Sequence, residues 1–162
     1  MNGTLRTWLS GILCVVALAA SNAAHALGAT CTVSSTATAF GYYDPVSPTA
    51  NDTTGSVSVS CQAAVALAVS YQISLSAGTY GTYAQRQLGA STQRLGYQLY
   101  TNTARSSIWG DGTAGTSVVS DGYLLSILGV VSKDYQVYGR MPAQQNVAPG
   151  TYNDVITVLL SY

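Results

Sequence analysis

Apolar and polar side chains alternate with a period of two along most of the chain beyond residue 30. The alternation is clearest in Gly55–Cys61, where valines and a cysteine share one face and serines occupy the other. This spacing is typical of β-strands with one buried face. The predicted strands are Cys31–Phe40, Gly55–Cys61, Ala66–Leu75, Arg94–Thr101, Gly122–Val131, Tyr135–Arg140 and Tyr152–Tyr162. This succession of short strands predicts an all-β fold, an antiparallel β-sandwich.

Turn-forming residues separate the predicted strands. Gly41–Thr54 contains prolines and is predicted as a loop, and the Gly-rich stretch Ser76–Gly89 is predicted as another. Gly110–Gly115 predicts a tight turn rather than a calcium-binding loop, because the spacing of oxygen ligands typical of such loops is absent. We therefore expect no metal site. The strands and short loops predict a single domain.

The last predicted strand, Tyr152–Tyr162, is apolar on both faces. One face carries Ile156, Val158, Leu160 and Tyr162, and the other carries Val155 and Leu159. A strand with two apolar faces is expected inside a packed sheet, with a neighbour on each side. Because the sequence ends at Tyr162, we expect one of those neighbours to be either an earlier strand or a strand of another chain.

Residues 1–26 are predicted to be a signal peptide. A basic residue precedes a short apolar run, Leu9–Ala20, and Ala24-His25-Ala26 fits the small-residue pattern of a cleavage site. The run is too short to favour a transmembrane helix. Cleavage after Ala26 would leave residues 27–162 as one domain, and Ala19 and Ala23 are alternative cleavage sites.

Cys31 and Cys61 are the cysteines that remain after cleavage. In an exported chain such a pair most simply forms a disulfide bond. Each cysteine shares strand parity with valines, so both are expected to face the core from adjacent strands. A metal or redox pair is the alternative, but a second group of ligands and a close Cys-x-x-Cys spacing are both missing.

Charged residues make up only 7% of the sequence. Without the leader, five basic residues stand against six aspartates, and no basic tract is present. Nucleic-acid binding is therefore not expected, because it requires clustered cations to neutralise phosphates. A surface built mainly from uncharged polar residues suits an extracellular structural protein.

The groups that most enzymes use for catalysis are scarce. Cleavage removes the only histidine, His25, and the remaining chain contains no glutamate. We therefore expect a protein that is not an enzyme and that needs no cofactor. A hydrolase based on two aspartates is the enzymatic alternative, although the aspartates lie mostly beside turn-forming residues.

Tyrosines in the predicted loops are candidate ligand contacts. Tyr80 and Tyr83 lie in the Gly-rich stretch, where their rings could stack on sugars or pack against a surface. The alternative is that these rings only cover the edges of the sandwich.

Several segments resemble the spore coat protein U domain family. The closing block is the most specific of them, and consists of Tyr138–Gln145 followed by Pro149–Asp154. Earlier segments agree in their order along the chain, and these are Cys31–Val33, Phe40–Asp44, Val57–Cys61, Leu95–Tyr100 and Trp109–Gly112. The resemblance covers nearly all of residues 27–162.

This resemblance implies an immunoglobulin-like sandwich that lacks its last strand. The family includes subunits of archaic chaperone–usher pili, in which a partner's strand fills an apolar groove. The implied partners are a periplasmic chaperone, an outer-membrane usher and neighbouring pilus subunits. The implied location is a surface fibre, reached through the periplasm, that supports adhesion or biofilm formation. The residues expected to support or line the groove are Val155, Ile156, Val158, Leu160 and Tyr162.

A short segment before Cys31 leaves other roles open. Cleavage after Ala26 would leave only Leu27–Thr30 in front of this cysteine, and cleavage after Ala19 would leave Ala20–Thr30, which is rich in alanine. Neither segment matches a deep groove well. The chain could therefore be a terminal adhesin or ligand-binding module that accepts a strand without donating one, or a self-contained coat or matrix protein that does not polymerise.

Overall fold

The structure is a computed structural model, and it describes residues 28–162. The predicted signal peptide and its alternative cleavage sites lie outside the described residues. The strands are β1 Ala29–Thr36, β2 Asn51–Ala63, β3 Leu67–Leu75, β4 Arg86–Ala90, β5 Gln93–Tyr100, β6 Val119–Leu125, β7 Val130–Met141 and β8 Val158–Ser161. Within residues 28–162, no helix has the length and apolar character needed to cross a membrane.

The strands form two antiparallel sheets that curl towards each other. The larger sheet has the order β1-β2-β7-β5-β4, and the smaller has the order β6-β3-β8. The prediction of an all-β antiparallel fold is thus confirmed. The long central pair, β2 and β7, is in register from Asn51 opposite Met141 to Gln62 opposite Val130.

The core lies between the inner faces of the two sheets. Alternate residues of β2 and β3 point inward, because side chains on a strand alternate between its faces. The fully buried Trp109 reaches the same core from a loop, and its indole N–H donates a hydrogen bond of 3.0 Å to the carbonyl oxygen of Ile73. The buried apolar residues include Val57, Val59, Tyr71, Ile73, Leu75, Leu99, Trp109 and Leu125.

The predicted disulfide bond between Cys31 and Cys61 is confirmed. The two residues lie directly opposite each other on β1 and β2. Cys61 is completely buried, so the bond fixes the edge strand β1 to the core of the larger sheet.

Several predicted elements differ from the structure. The predicted loop Gly41–Thr54 is shorter, since β2 begins at Asn51, and the predicted strand Cys31–Phe40 ends at Thr36. Gly122–Val131 is not a single strand, because the chain turns at residues 126–129, where Leu128 adopts a left-handed φ of 56°. Its two halves belong to β6 and β7, in different sheets, and the predicted Tyr135–Arg140 is the middle of β7. The Gly-rich stretch Ser76–Gly89 is also not all loop, since β4 begins at Arg86.

A polar cluster joins β6 of the smaller sheet to β7 of the larger. Asp121 on β6 accepts hydrogen bonds from the Tyr135 hydroxyl at 2.7 Å and from the Lys133 ammonium at 2.9 Å. The Tyr135 hydroxyl also lies 2.5 Å from that of Tyr71 on β3. These donors hold the pKa of Asp121 at about 2, with the Tyr135 hydrogen bond as the main cause. Charge and hydrogen bonding therefore hold the sheets together on this side.

Candidate functional site

The other side of the sandwich is open. A cavity of about 200 Å³ runs between the end of β1 with its continuation, Ser35–Phe40, and the last segment at Asp154, Ile156 and Val158. We call this space the interstrand groove. Its floor is apolar and is formed by Val57, Leu75, Leu88, Tyr97, Leu99 and Val137, which come from both sheets.

A second cavity of about 640 Å³, which we call the groove mouth, adjoins one end of the groove. Thr38, Phe40, Leu88 and Asp154 line both cavities, so the two spaces are adjacent. The other residues of the mouth come mostly from the loop after β1 and from residues 147–153, and include Tyr42, Tyr43, Pro45, Val147 and Tyr152. The mouth therefore lies between the chain segments that enter β2 and β8.

The last segment is extended over Tyr152–Tyr162, but only Val158–Ser161 pairs as a strand. Its inner residues pack against the core, and these are Tyr152, Ile156, Val158, Leu160 and Tyr162. Val155 and Leu159 point outward and are 71% and 58% exposed. Of the groove residues expected from the sequence, Ile156 and Val158 line the groove. Leu160 and Tyr162 pack against the core beyond the cavity, and Val155 lies on the outer face.

Among the described residues, β8 has a strand neighbour on one side only, which is β3. Before β8, Thr157 accepts a backbone hydrogen bond from Ser76, and Asn153 exchanges two with Gly89. Alternate residues of an extended segment direct their peptide groups to the same side. The backbone groups of residues 153 and 157 therefore face β4 and the end of β3, and among the described residues the opposite side, towards Ser35–Phe40, has no backbone partner.

Asp154 fixes the last segment beside the groove. One carboxylate oxygen accepts a hydrogen bond of 2.7 Å from the Tyr97 hydroxyl, and the other accepts one of 2.8 Å from the Thr79 backbone N–H. Burial raises the pKa of Tyr97, and the adjacent Asp154 carboxylate adds to the effect. Sequence reasoning assigned no role to this aspartate, because it looked like one more turn former after Pro149-Gly150.

Arg86 holds Ser76, whose backbone N–H bonds to the last segment at Thr157. Its side chain is fully buried, and its guanidinium donates to the carbonyl oxygens of Ser76 and Trp109 and to the Gln98 side chain. Desolvation lowers the pKa of Arg86. Sequence reasoning missed this residue, since nothing in the Gly-rich stretch distinguishes a buried arginine from a solvated one.

The two tyrosines singled out from the sequence lie apart from the groove lining. Tyr80 is 41% exposed, and Arg94 lies over its ring at 4.4 Å from the centroid. The ring of Tyr83 is half-buried against Arg86. Gly110–Gly115 is a turn in which Asp111 accepts a hydrogen bond from the backbone N–H of Thr113, and the described residues contain no cluster of three potential metal ligands.

Two curled antiparallel sheets with a groove beside a last strand that is paired on one side only define an immunoglobulin-like β-sandwich with one open side. Residues 17–159 match the Spore Coat Protein U domain. The chain belongs to this family, and the resemblance read from its sequence motifs is confirmed.

Two comparisons agree with this assignment. The chain is 34% identical over 132 residues to Protein U of Myxococcus xanthus, covering 76% of this chain and 70% of that protein. Its fold is similar to a chain in the complex of the chaperone CsuC with the tip adhesion subunit CsuE, from archaic chaperone–usher Csu pili of Acinetobacter baumannii. That likeness has a TM-score of 0.56 at 19% identity, and it covers 83% of this chain but only 40% of the other.

Proposed function

We propose that the protein is a secreted structural subunit of a chaperone–usher-type surface fibre, assembled by donor-strand complementation. The observation that carries the proposal is the unpaired side of Asp154–Tyr162 beside the apolar interstrand groove. An added β-strand would bond to this side through its backbone and insert alternate side chains into the groove. Family membership and the fold likeness to a pilus subunit complex support the same function.

The proposed partners follow from this route of assembly. A periplasmic chaperone lends a strand first, an outer-membrane usher receives the complex, and a neighbouring subunit then replaces the chaperone's strand. The Cys31–Cys61 bond supports export, because disulfides form and persist in oxidising compartments. We propose no catalytic role for this chain.

Filling the groove contributes a large share of the free energy that stabilises such a domain. About five apolar side chains, at roughly 1.5–3 kcal/mol each, would contribute on the order of 10 kcal/mol before ordering costs are subtracted. That gain is comparable with the whole stability of a domain. An unfilled subunit is therefore expected to aggregate or to fold poorly.

Coexpression with the cognate periplasmic chaperone tests the proposal. The chaperone should raise the soluble yield sharply and copurify with the chain. Ile156→Asp, which places a carboxylate on the groove side, should abolish copurification, whereas the matched outer-face variant Val155→Asp should keep it. A chain that is equally soluble and unfolds cooperatively when made alone would overturn the proposal.

A non-polymerising coat or matrix protein is the second candidate function. The observation that favours it is the similarity to Protein U within a family named for a spore coat. Under this candidate the chain is recovered from an outer layer as single domains. Electron microscopy of the cell surface separates the two candidates, since only the first predicts fibres that contain this chain.

A terminal adhesive subunit is a variant of the first proposal, and the tip adhesion subunit in the similar complex favours it. Its candidate contacts are Tyr80 and Tyr83. Glycan arrays and surface-binding assays with Tyr80→Ala and Tyr83→Ala test it, and unchanged binding would exclude these rings as contacts.

A further inference from the structure

One end of the sandwich carries a cluster of exposed apolar side chains, which we call the apolar pole. Its members are Val65, Leu124, Ile127, Leu128 and Val130, each more than half exposed. The loop after β2 and the turn between β6 and β7 meet here, because the backbone N–H of Leu128 donates to the carbonyl oxygen of Ala63 at 3.1 Å. Soluble domains rarely leave such a patch uncovered unless it binds something.

The apolar pole carries no charge in its sequence. No charged residue occurs from Thr53 to Gln85 or from Gly122 to Ser132, and these stretches include all five members of the pole. A charged or strongly polar partner would therefore find no complementary group. The chemistry of this surface selects an uncharged, apolar partner.

At the opposite end of the sandwich, the loop after β1 has that chemistry. Tyr42 and Val46, in the loop after β1, are 87% and 79% exposed. Tyr42 lines the groove mouth together with Pro45. Asp44 is the only charged residue from Gly41 to Ala50, and its carboxylate already accepts a hydrogen bond from the Val46 backbone N–H.

The described part of the chain starts at the apolar pole. Gly28 lies at the apolar pole, where its carbonyl oxygen accepts a hydrogen bond from the Ala64 N–H and where it lines a cavity with Leu128. A segment that reached a neighbour's groove from here would carry the apolar pole towards that neighbour.

Resting on the proposed function, we infer that the apolar pole docks on the groove-mouth end of a second copy of this chain, between Leu128 and Val46. The alanine-rich residues that precede Gly28 offer few large side chains to a groove, so a second contact adds binding that they lack. A contact between two different surfaces does not close on itself, and it therefore extends into a fibre.

The size of the patch agrees with a contact that forms only between chains already linked by an inserted strand. Five side chains are far fewer than the roughly 20–30 residues per partner of a stable interface. A strand inserted in the neighbour's groove would hold the two ends at high effective concentration, at which a small contact suffices. Isolated chains are therefore not expected to dimerise through the pole.

Paired cysteines in the full chain test the contact directly. Fibres of the Val46→Cys/Leu128→Cys double variant, treated with mild oxidant, should give a ladder of linked chains on a non-reducing gel. The control pair Leu159→Cys/Leu128→Cys, with an exposed residue on the side of the sandwich, should give none. Linked dimers from Leu128→Cys alone would overturn the inference, because the apolar poles of two copies would then contact each other.

The other outcomes are also decisive. Abundant fibres without any Val46–Leu128 link would overturn the pole contact and leave the proposed function standing. If the wild-type chain formed no fibres, the proposed function would fail and the inference with it.

A surface variant measures the effect of the contact on assembly. Ile127→Ser/Leu128→Ser changes only exposed side chains, so the chaperone-bound chain should fold as before, while the amount of fibre falls roughly tenfold. If this variant kept its fibres but lost adhesion to octadecyl-coated beads, the pole would bind foreign apolar surfaces instead, and the inference would be wrong.

Discussion

The Tyr97 hydroxyl donates a hydrogen bond of 2.7 Å to Asp154, joining β5 of the larger sheet to the last segment of the chain. Removing the donor leaves a half-buried carboxylate oxygen with one partner fewer. We expect Tyr97→Phe to lower the free energy of unfolding by about 1–3 kcal/mol, measured by urea denaturation of the soluble form, free or complemented. Tyr42→Phe, which changes an exposed hydroxyl, is the control and should be neutral.

The buried Arg86 gives the second prediction. Arg86→Ala leaves the carbonyl oxygens of Ser76 and Trp109 without these donors and opens a cavity behind β4. We expect the free energy of unfolding to fall by about 3 kcal/mol or more, or the variant to fail to accumulate as soluble protein. Arg94→Ala, an arginine at the surface of β5, should change stability little, and equal effects of the two variants would contradict the structural role of Arg86.

Acid should weaken the cluster around Asp121. The pKa of Asp121 is lowered to about 2 in the folded protein, whereas an unfolded aspartate has a pKa of about 3.9. A lowered folded-state pKa contributes stability that is fully present above the unfolded value. This contribution is lost as the pH falls from about 4 to below 2.

Thermal unfolding from pH 5 to pH 2 measures this effect. Asp121→Asn should flatten the pH dependence in that range, and should do so more than Asp134→Asn, an exposed carboxylate on β7. Identical pH profiles for the wild type and Asp121→Asn would contradict the assignment.

The disulfide gives the fourth prediction. It closes a loop over a sequence separation of 30 residues, which is worth about 3–4 kcal/mol in the chain-entropy model. We expect Cys31→Ala/Cys61→Ala to lose about that much in denaturant unfolding. Reductant should destabilise the wild type by a similar amount and leave the double variant unchanged, which serves as the control.

Several elements could be predicted because their sequence pattern is compatible with only one local structure. The serine–valine alternation of β2 allows only a strand with one buried face, and it places Cys61 in the core. The same parity argument pairs Cys61 with Cys31. The apolar residues at positions 156, 158, 160 and 162 likewise predict an extended last segment, although only part of it pairs as β8.

Other elements depend on tertiary contacts that local pattern does not encode. The apolar run from Tyr123 to Val131 reads as one strand, because the turn at Leu128 lacks the usual glycine at its left-handed position. β4 is short and lies in a Gly-rich stretch, and its pairing with β5 stabilises it. The groove itself is a relation between Ser35–Phe40 and Asp154–Val158, more than 100 residues apart in sequence.

The position of the disulfide determines how the domain would carry mechanical load. A pull applied at Gly28 would otherwise unzip the edge strand β1 from β2 one hydrogen bond at a time. Cys31 lies only three residues after Gly28, so tension passes there into the covalent bond and on to Cys61 in β2. Because β2 is bonded along its length to β7, β1 could be detached only together with β2, and a fibre of such domains would resist stretching.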